Sequence, residues 1–217
     1  MSTPIETLLA DVEQYFSDDE VVTAAYLRKV TLASGKVLGL VTLDNGLDHT
    51  RPNTFGPKSL VALNTAYDAA LADDEIEAIA VTGKQFILAA GADLTSLRSG
   101  GAEGIRTIAE LGHAVFRKIR GAKPSFGFIN GLALGGGLEV ALHADYRTVI
   151  DSVPAVGLPE VMLGLIPGWG GSYLLPNLIG PANAAKAFIE NPLNNGKVIK
   201  GLQVRDLGIA DVAFNGA

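Results

Sequence analysis

The sequence contains no cysteine among its 217 residues. This absence excludes disulfide bonds, a catalytic thiolate and zinc sites built from cysteine. It also agrees with a reducing compartment, so we expect a cytoplasmic protein. Only three histidines are present, His49, His113 and His143, and no two of them have the spacing of metal ligands. We therefore expect no bound metal.

Basic residues and long apolar runs are also scarce. Lysine and arginine together number 17 against 23 acidic residues, and the net charge of −6 argues against a general nucleic-acid surface. The first residues lack the basic start and apolar run of a signal peptide. The most apolar stretch, residues 125–150, is interrupted by Glu139, His143, Asp145 and Arg147. We therefore expect neither nucleic acid nor a membrane as a partner.

The residues that are present predict one α/β domain over residues 1–217, since 48% of them are hydrophobic and strand patterns alternate with helix patterns. Residues 91–104 are small and polar, and they predict a mobile loop. The remaining pattern predicts helices at 5–16, 59–71, 105–119 and 136–143, a hairpin of strands 26–32 and 37–43, a polar loop at 43–57, and strands at 78–82, 125–129 and 146–150.

Two glutamates stand beside glycine clusters. Glu139 ends the run Asn-Gly-Leu-Ala-Leu-Gly-Gly-Gly-Leu-Glu, and Glu160 precedes the run Ile-Pro-Gly-Trp-Gly-Gly at 166–171. Glycines let the main chain approach a ligand and present bare N–H groups, as an oxyanion hole requires. The pattern indicates a paired acid/base site. The alternatives are a helix first-turn acid for Glu139, a solvated turn residue for Glu160 and a plain turn residue for Gly136.

Three segments in order carry a family resemblance: residues 86–94, 123–139 and 157–171. Together they resemble the enoyl-CoA hydratase/isomerase family of the crotonase superfamily, over about residues 24 to 213. The resemblance implies an α/β fold of the crotonase type, a spiral of repeated ββα units.

The resemblance also implies roles for individual residues. Ala92 and Gly136 match the two positions whose N–H groups form the oxyanion hole. Glu160 matches the acid that delivers a proton to Cα, and Glu139 matches the glutamate that activates water. The positions that match substrate-binding backbone are Ala90, Gly91, Asp93 and Leu94. Trp169 lies in a turn that lines the acyl pocket in the family, although core packing is an equal alternative for its indole.

The implied function is hydration of trans-2-enoyl-CoA thioesters in fatty-acid β-oxidation. It needs no metal and no redox cofactor, since coenzyme A belongs to the substrate. One alternative is a Δ3,Δ2-enoyl-CoA isomerase, which needs only the Glu160 position. Another is a CoA-binding module without turnover.

Two departures from the family pattern concern the end of the sequence and a loop in its N-terminal half. The sequence stops shortly after Asp211, so we expect the family's C-terminal helical segment to be absent. The loop at residues 44–53 is longer than usual. Both departures suggest the crotonase domain of a multifunctional fatty-acid oxidation protein, with further domains or a trimer-type homo-oligomer as its partners.

Overall fold

The computed structural model describes residues 3–121 and 123–216, and their strands form two sheets. The larger sheet has the order β1-β2-β3-β5-β7-β9, and the smaller has the order β4-β6-β8. Only β1 and β2 pair antiparallel; the other pairings within the two sheets are parallel. The strands are β1 (Ala24–Thr31), β2 (Val37–Asp44), β3 (Ala78–Gly83), β4 (Phe86–Ala89), β5 (Ser125–Ile129), β6 (Gly131–Leu134), β7 (Tyr146–Ile150), β8 (Val156–Gly157) and β9 (Val212–Phe214).

Helices connect the strands, and α1 and α2 both pack against α4 while α5 packs against α6. Short 3₁₀ turns at Glu13–Tyr15 and Glu160–Leu163 and a π turn at Lys186–Glu190 complete the helical structure of the described residues. The helices are α1 (Ile5–Val12), α2 (Pro57–Ala72), α3 (Leu94–Ser99), α4 (Gly101–Arg117), α5 (Gly136–Leu142), α6 (Gly171–Ile179), α7 (Pro181–Ala185), α8 (Asn191–Leu193) and α9 (Gln203–Asp206).

The chain repeats one ββα unit along the spiral. In each unit the first strand joins the larger sheet, the second joins the smaller sheet, and a helix or helical turn follows. The units are β3-β4 with α3 and α4, β5-β6 with α5, and β7-β8 with the turn at Glu160–Leu163. This confirms the predicted α/β spiral of ββα units, and it aligns the ends of β4, β6 and β8 side by side.

The prediction of a mobile loop at residues 91–104 is wrong. The segment forms α3 and the beginning of α4, whose first residue, Gly101, has a left-handed conformation (φ +61°). The Asp93 carboxylate begins α3 by accepting a hydrogen bond from the Ser96 N–H at 2.8 Å. A side-chain cap of this kind satisfies one of the free N–H groups of a helix start and lets a short polar segment become helical.

Three aromatic side chains bring distant segments together at the centre of the core. The ring centroids of Phe55 and Phe116 are 5.0 Å apart, and the Trp169 ring lies 6.0 Å from the first and 5.3 Å from the second. All three are buried and meet edge to face, the preferred geometry of aromatic pairs. The cluster joins the segment before α2, the end of α4 and the turn before α6.

The long loop at residues 44–53 folds around the Lys84 ammonium group. The Nζ atom donates to the carbonyl oxygens of Leu47, Asp48 and Arg51 at 2.7, 3.0 and 2.8 Å. The buried Asn53 amide then fastens the end of the loop by donating to the carbonyl oxygens at 43 and 88. These bonds fix the position of the segment that follows the loop.

Candidate active site

The structure brings all of the predicted site residues to one cavity of about 380 Å³. The spiral explains this convergence, because the cavity lies where the chain leaves β4, β6 and β8. The predicted residues in its lining are Ala90, Gly91, Ala92, Asp93, Leu94, Gly136, Glu139, Glu160 and Trp169. Further lining residues, none of them predicted, include Pro52, Thr54, Leu97, Ile105, Ala109, Leu163, Leu165 and Ile166. The added walls are mostly apolar.

The N–H groups of Ala92 and Gly136 are both available to a ligand. Phe55 exchanges backbone hydrogen bonds with Gly91 and Asp93, at 2.9 and 3.0 Å. Because alternate residues of extended backbone point to opposite sides, the Ala92 N–H points away from Phe55. Gly136 is the first residue of α5, so its helix offers its N–H no acceptor.

Glycine is required at both positions, at Gly91 by its backbone conformation and at Gly136 by the Trp169 ring. A Cβ atom added to Gly91 would lie 3.6 Å from the Gly136 nitrogen, and Gly91 has a φ of +86°. A Cβ atom added to Gly136 would lie 2.4 Å from the Trp169 ring, well inside contact distance. The glycines therefore permit the local backbone and packing in which both Ala92 and Gly136 line the same cavity.

The Glu139 carboxylate is buried and held by backbone. Its Oε1 accepts hydrogen bonds from the N–H groups of Trp169 and Gly171, each at 2.8 Å, and the residue is 2% exposed. The pKa of Glu139 is raised to about 7, because burial and the nearby Glu160 charge raise it more than the two N–H donors lower it. The carboxyl can therefore change its protonation state near neutral pH.

The Glu160 carboxyl is less constrained. It lies on the 3₁₀ turn after β8, and its buried Oε2 has no hydrogen-bond partner within residues 3–121 and 123–216. Burial raises the pKa of Glu160 to about 7. A buried polar atom without a partner costs about 1–3 kcal/mol, so such atoms are concentrated where a ligand supplies the partner.

Together these groups form an acid/base pair beside two N–H donors. Both carboxyls have a pKa near 7, and the charge of one raises the pKa of the other. Repulsion between two neighbouring carboxylates favours the state in which only one is ionised. The site can therefore offer one proton donor, one proton acceptor and a place for developing negative charge.

Comparison with known proteins identifies the family of this chain. The family model of enoyl-CoA hydratase/isomerase matches residues 36–213. The chain belongs to this family. Among curated relatives, the fatty acid oxidation complex subunit alpha of Pseudomonas syringae pv. tomato is 40% identical over 170 residues. The glyoxysomal fatty acid beta-oxidation multifunctional protein MFP-a of Cucumis sativus is 38% identical over 165 residues.

The relatives are much longer than this chain. Each of these two alignments covers 73% of this chain but only 22% of the relative. Among solved structures, an enoyl-CoA hydratase from Geobacillus kaustophilus superposes with a TM-score of 0.76 at 26% identity, covering 88% of this chain and 69% of that one. One from Thermoplasma volcanium gives 0.74 at 26% identity, covering 87% and 71%. The fold is thus the crotonase fold of the family.

The Trp169 indole lies mainly in the core. It is 5% exposed, and a Cβ atom added to Gly112 on α4 would lie 2.3 Å from its Nε1. The ring thus fills a slot between Gly112 and Gly136, which agrees with the core-packing alternative. In the structure, Trp169 contributes to the site through its main-chain N–H, which donates to Glu139. Its contact with an acyl chain stays a prediction.

The other predicted binding residues use part of their polar groups within the protein. The Ala90 N–H donates to the Asn53 carbonyl oxygen at 2.8 Å, and the Asp93 side chain caps α3. Leu94 is 42% exposed at the cavity. The remaining backbone groups of these residues and the Leu94 side chain could still bind substrate, and these contacts stay predictions.

The sequence pattern assigns no role to His143. The structure buries it and places its Nε2 2.8 Å from the Trp169 carbonyl oxygen. The signal that sequence reasoning missed is its position four residues after Glu139, on the same face of α5.

Two absences among the described residues bear on other kinds of site. Between residues 3 and 216, apart from residue 122, no three histidine or acidic side chains are grouped so that they could hold a metal ion. None of the helices in that part of the chain has the length and apolar composition needed to cross a membrane.

Proposed function

We propose that the chain hydrates trans-2-enoyl-CoA thioesters. The observation that carries this proposal is the pair of glutamates, Glu139 buried and Glu160 half-buried, each with a pKa near 7, in the same cavity as the N–H groups of Ala92 and Gly136. Hydration of a conjugated thioester needs these parts together: a base, an acid and donors for an enolate oxygen.

In the proposed reaction the thioester carbonyl oxygen accepts hydrogen bonds from Ala92 and Gly136. Glu139 removes a proton from water as the water oxygen forms its bond to Cβ. The electron pair of the double bond moves toward the thioester oxygen and gives an enolate, which the two N–H groups stabilise. Glu160 then donates its proton to Cα. The product is a 3-hydroxyacyl-CoA, and addition is syn because both carboxyls act from one side.

The burial and raised pKa of Glu139 favour hydration over isomerisation. Moving a double bond between two carbons needs one carboxyl that removes and returns a proton, and Glu160 alone could do this. A second buried carboxyl with a raised pKa is costly to the fold. Its cost is explained if Glu139 binds and deprotonates water.

The apolar walls support a fatty acyl thioester as the substrate. Leu97, Ile105 and Ala109 of α3 and α4 line the cavity, and so do Leu163, Leu165 and Ile166 from the segment after β8. Burial of a hydrocarbon chain between them is favourable by about 0.8 kcal/mol for each CH₂ group. With the names of the relatives, this supports a place in fatty-acid β-oxidation.

An assay with crotonyl-CoA tests the proposal, because hydration removes the absorbance of the conjugated thioester. We expect activity in the wild-type chain and a loss of about 100- to 10,000-fold in Glu160→Gln, which cannot donate the proton. Glu103→Gln is the control, since Glu103 is an exposed glutamate on α4. Turnover by Glu160→Gln at the wild-type rate would remove Glu160 from the mechanism, and an inactive wild-type chain would favour a CoA-binding module.

A further inference from the structure

His143 is a buried ionisable residue that the proposed reaction does not use. Its side chain is 2% exposed, and its Nε2 lies 2.8 Å from the carbonyl oxygen of Trp169. A carbonyl oxygen only accepts hydrogen bonds, so the proton of the neutral ring must be on Nε2, which donates.

Two side chains from one face of α5 hydrogen-bond to the turn at residues 169–171. Glu139 and His143 are four residues apart and project from the same side of the helix. Glu139 accepts from the N–H groups of Trp169 and Gly171, while His143 donates to the carbonyl of the peptide group between them. The two side chains thus hold three consecutive peptide groups.

Packing around the turn leaves it little freedom to shift. Gly170 has a φ of +114°, and a Cβ atom added there would lie 2.7 Å from His143 Nε2. A Cβ atom added to Gly171 would lie 3.0 Å from Glu139 Oε1. The backbone of the turn therefore rests directly on both side chains.

We propose that His143 is a positioning residue: its hydrogen bond to the Trp169 carbonyl keeps two N–H groups aimed at Glu139 and so sets the proton affinity of that carboxylate. Hydrogen bonds from N–H groups stabilise the ionised form of a carboxylate. Without His143 the turn loosens, Glu139 holds its proton more tightly, and less of it is ionised at neutral pH. Only the catalytic consequence rests on the proposed hydratase function.

The surroundings keep His143 neutral while Glu139 titrates. The pKa of His143 is lowered to about 4, chiefly by burial and also by the neighbouring His113, Arg120 and Arg117, while the hydrogen bond to the Trp169 carbonyl raises it in part. The His113 ring centroid is 5.6 Å from that of His143. The charged group that faces Glu139 is Glu160. Burial and the Arg117 charge lower the pKa of His113 as well. A transition near pH 7 in this region therefore belongs to the two glutamates.

Nitrogen NMR of the intact chain tests the hydrogen bond directly. We expect the ring of His143 to keep its proton on Nε2 from about pH 5.5 to 8.5, since its pKa is about 4. We also expect the amide signals of Trp169 and Gly171 to titrate with Glu139. A His143 ring with its proton on Nδ1 would overturn the proposal, whatever the variants do.

Variants test the effect on Glu139. In His143→Leu, which cannot donate, we expect the Glu139 midpoint to rise by about half to one pH unit. His143→Gln places an amide N–H near the position of Nε2 and should restore the wild-type midpoint. His113→Gln is the control, because His113 is the neighbouring histidine, and it should change nothing. If His143→Leu folds and the titration midpoint of Glu139 does not shift, the proposal is overturned. If His143→Leu does not fold, a shift of the Glu139 midpoint in His143→Gln overturns it.

Activity is measured separately, so that the two proposals can fail independently. With crotonyl-CoA at pH 7 we expect His143→Leu to lower kcat by about 3- to 10-fold, with KM changed less than about twofold and with the acidic limb of the rate profile moved to higher pH. If the wild-type chain does not hydrate crotonyl-CoA, the proposed function fails, and the titration alone decides the role of His143.

Discussion

At the scale of single residues, the two glutamates of the site differ in the hydrogen bonds that their carboxyl groups accept. Glu139 Oε1 accepts two backbone hydrogen bonds, whereas Glu160 Oε2 is buried without a partner among the residues described. Burial raises both pKa values to about 7. The fixed carboxyl suits the orientation of a water molecule, and the less constrained one suits proton transfer to carbon.

The raised pKa of Glu160 predicts a pH-dependent stability difference. In the unfolded chain this carboxyl ionises near its ordinary value of 4.5, whereas in the folded chain it stays protonated up to about 7. The folded state therefore loses stability relative to the unfolded state as pH rises from 4.5 to 7. Because Gln does not ionise, Glu160→Gln should gain about 1–3 kcal/mol relative to wild type between pH 4.5 and 8.

Urea unfolding at several pH values measures this difference. The exposed Glu103→Gln should track wild type at each pH. A constant difference between Glu160→Gln and wild type from pH 4.5 to 8 would mean that the Glu160 pKa is not raised in the folded chain.

Glu139→Gln separates hydration from isomerisation. We expect hydration to fall by at least about 100-fold, because an amide cannot accept the proton of water. Isomerisation of a 3-enoyl-CoA to a 2-enoyl-CoA, where present, should be largely spared, since Glu160 and the two N–H groups remain. The amide oxygen of Gln can still accept from the N–H groups of Trp169 and Gly171, so the turn should stay in place.

Both activities of Glu139→Gln are compared on one folded preparation, with circular dichroism as the check of folding. An equal loss of the two would mean that Glu139 shapes the site in general. Unchanged hydration would favour the isomerase alternative.

At the scale of elements, the site depends on how α4, α5 and the turn before α6 fit around one indole. The Trp169 ring occupies the space that a side chain at Gly112 on α4 or at Gly136 on α5 would need. The same tryptophan donates its N–H to Glu139. Packing between these elements is therefore coupled to the position of a proposed catalytic group.

Gly112→Ala tests this coupling. The added methyl group would lie 2.3 Å from Trp169 Nε1, so the ring must move. Overpacking of this kind typically costs about 1–3 kcal/mol. Because the sequence has one tryptophan, its fluorescence and near-UV circular dichroism report the movement directly. We expect both signals to change and hydration to fall, while Ala102→Ser, at an exposed position of the same helix, leaves them as in wild type. Unchanged spectra in Gly112→Ala would contradict the close packing of the Trp169 ring against Gly112.

At the scale of the whole molecule, a buried arginine closes the spiral. Arg147 on β7 is 5% exposed, and its guanidinium donates to the carbonyl oxygens of Ile209 and Ala144 at 2.8 and 2.7 Å. Its Nη2 also lies 3.5 Å from the Asp211 carboxylate, which accepts the Arg147 N–H. These bonds attach the segment that leads into β9 to the edge of the larger sheet.

Arg147→Met should destabilise the protein without changing the chemistry. Removal of the guanidinium leaves two carbonyl oxygens without their donor, and we expect a loss of about 2–4 kcal/mol in the free energy of unfolding. Arg205→Met is the control, because Arg205 pairs with Asp206 at the surface, where a salt bridge is worth about 0–1 kcal/mol. Equal stability of the two variants in urea would contradict the closing role of Arg147, and the kcat of folded Arg147→Met should match wild type.

Exposed apolar side chains in the C-terminal third of the chain bear on its assembly. Ile166, Tyr173 and Leu193 are 74%, 71% and 64% exposed. Large exposed apolar groups favour contact with another surface, and self-association of this chain stays a prediction.

The sequence by itself determined the repeating α/β pattern, the hairpin of β1 and β2 and the two glutamates beside glycine-rich turns. These features are local, since apolar periodicity and glycine positions act over a few residues. It did not reveal α3, whose helix depends on the Asp93 cap, or β4 and β6, which are too short to show a period of their own. Only the tertiary structure decided the pKa values of Glu139 and Glu160 and the pairing of His143 with the Trp169 carbonyl. Desolvation and hydrogen bonding depend on which distant segments surround a group, and the chain brings those segments together only when it folds.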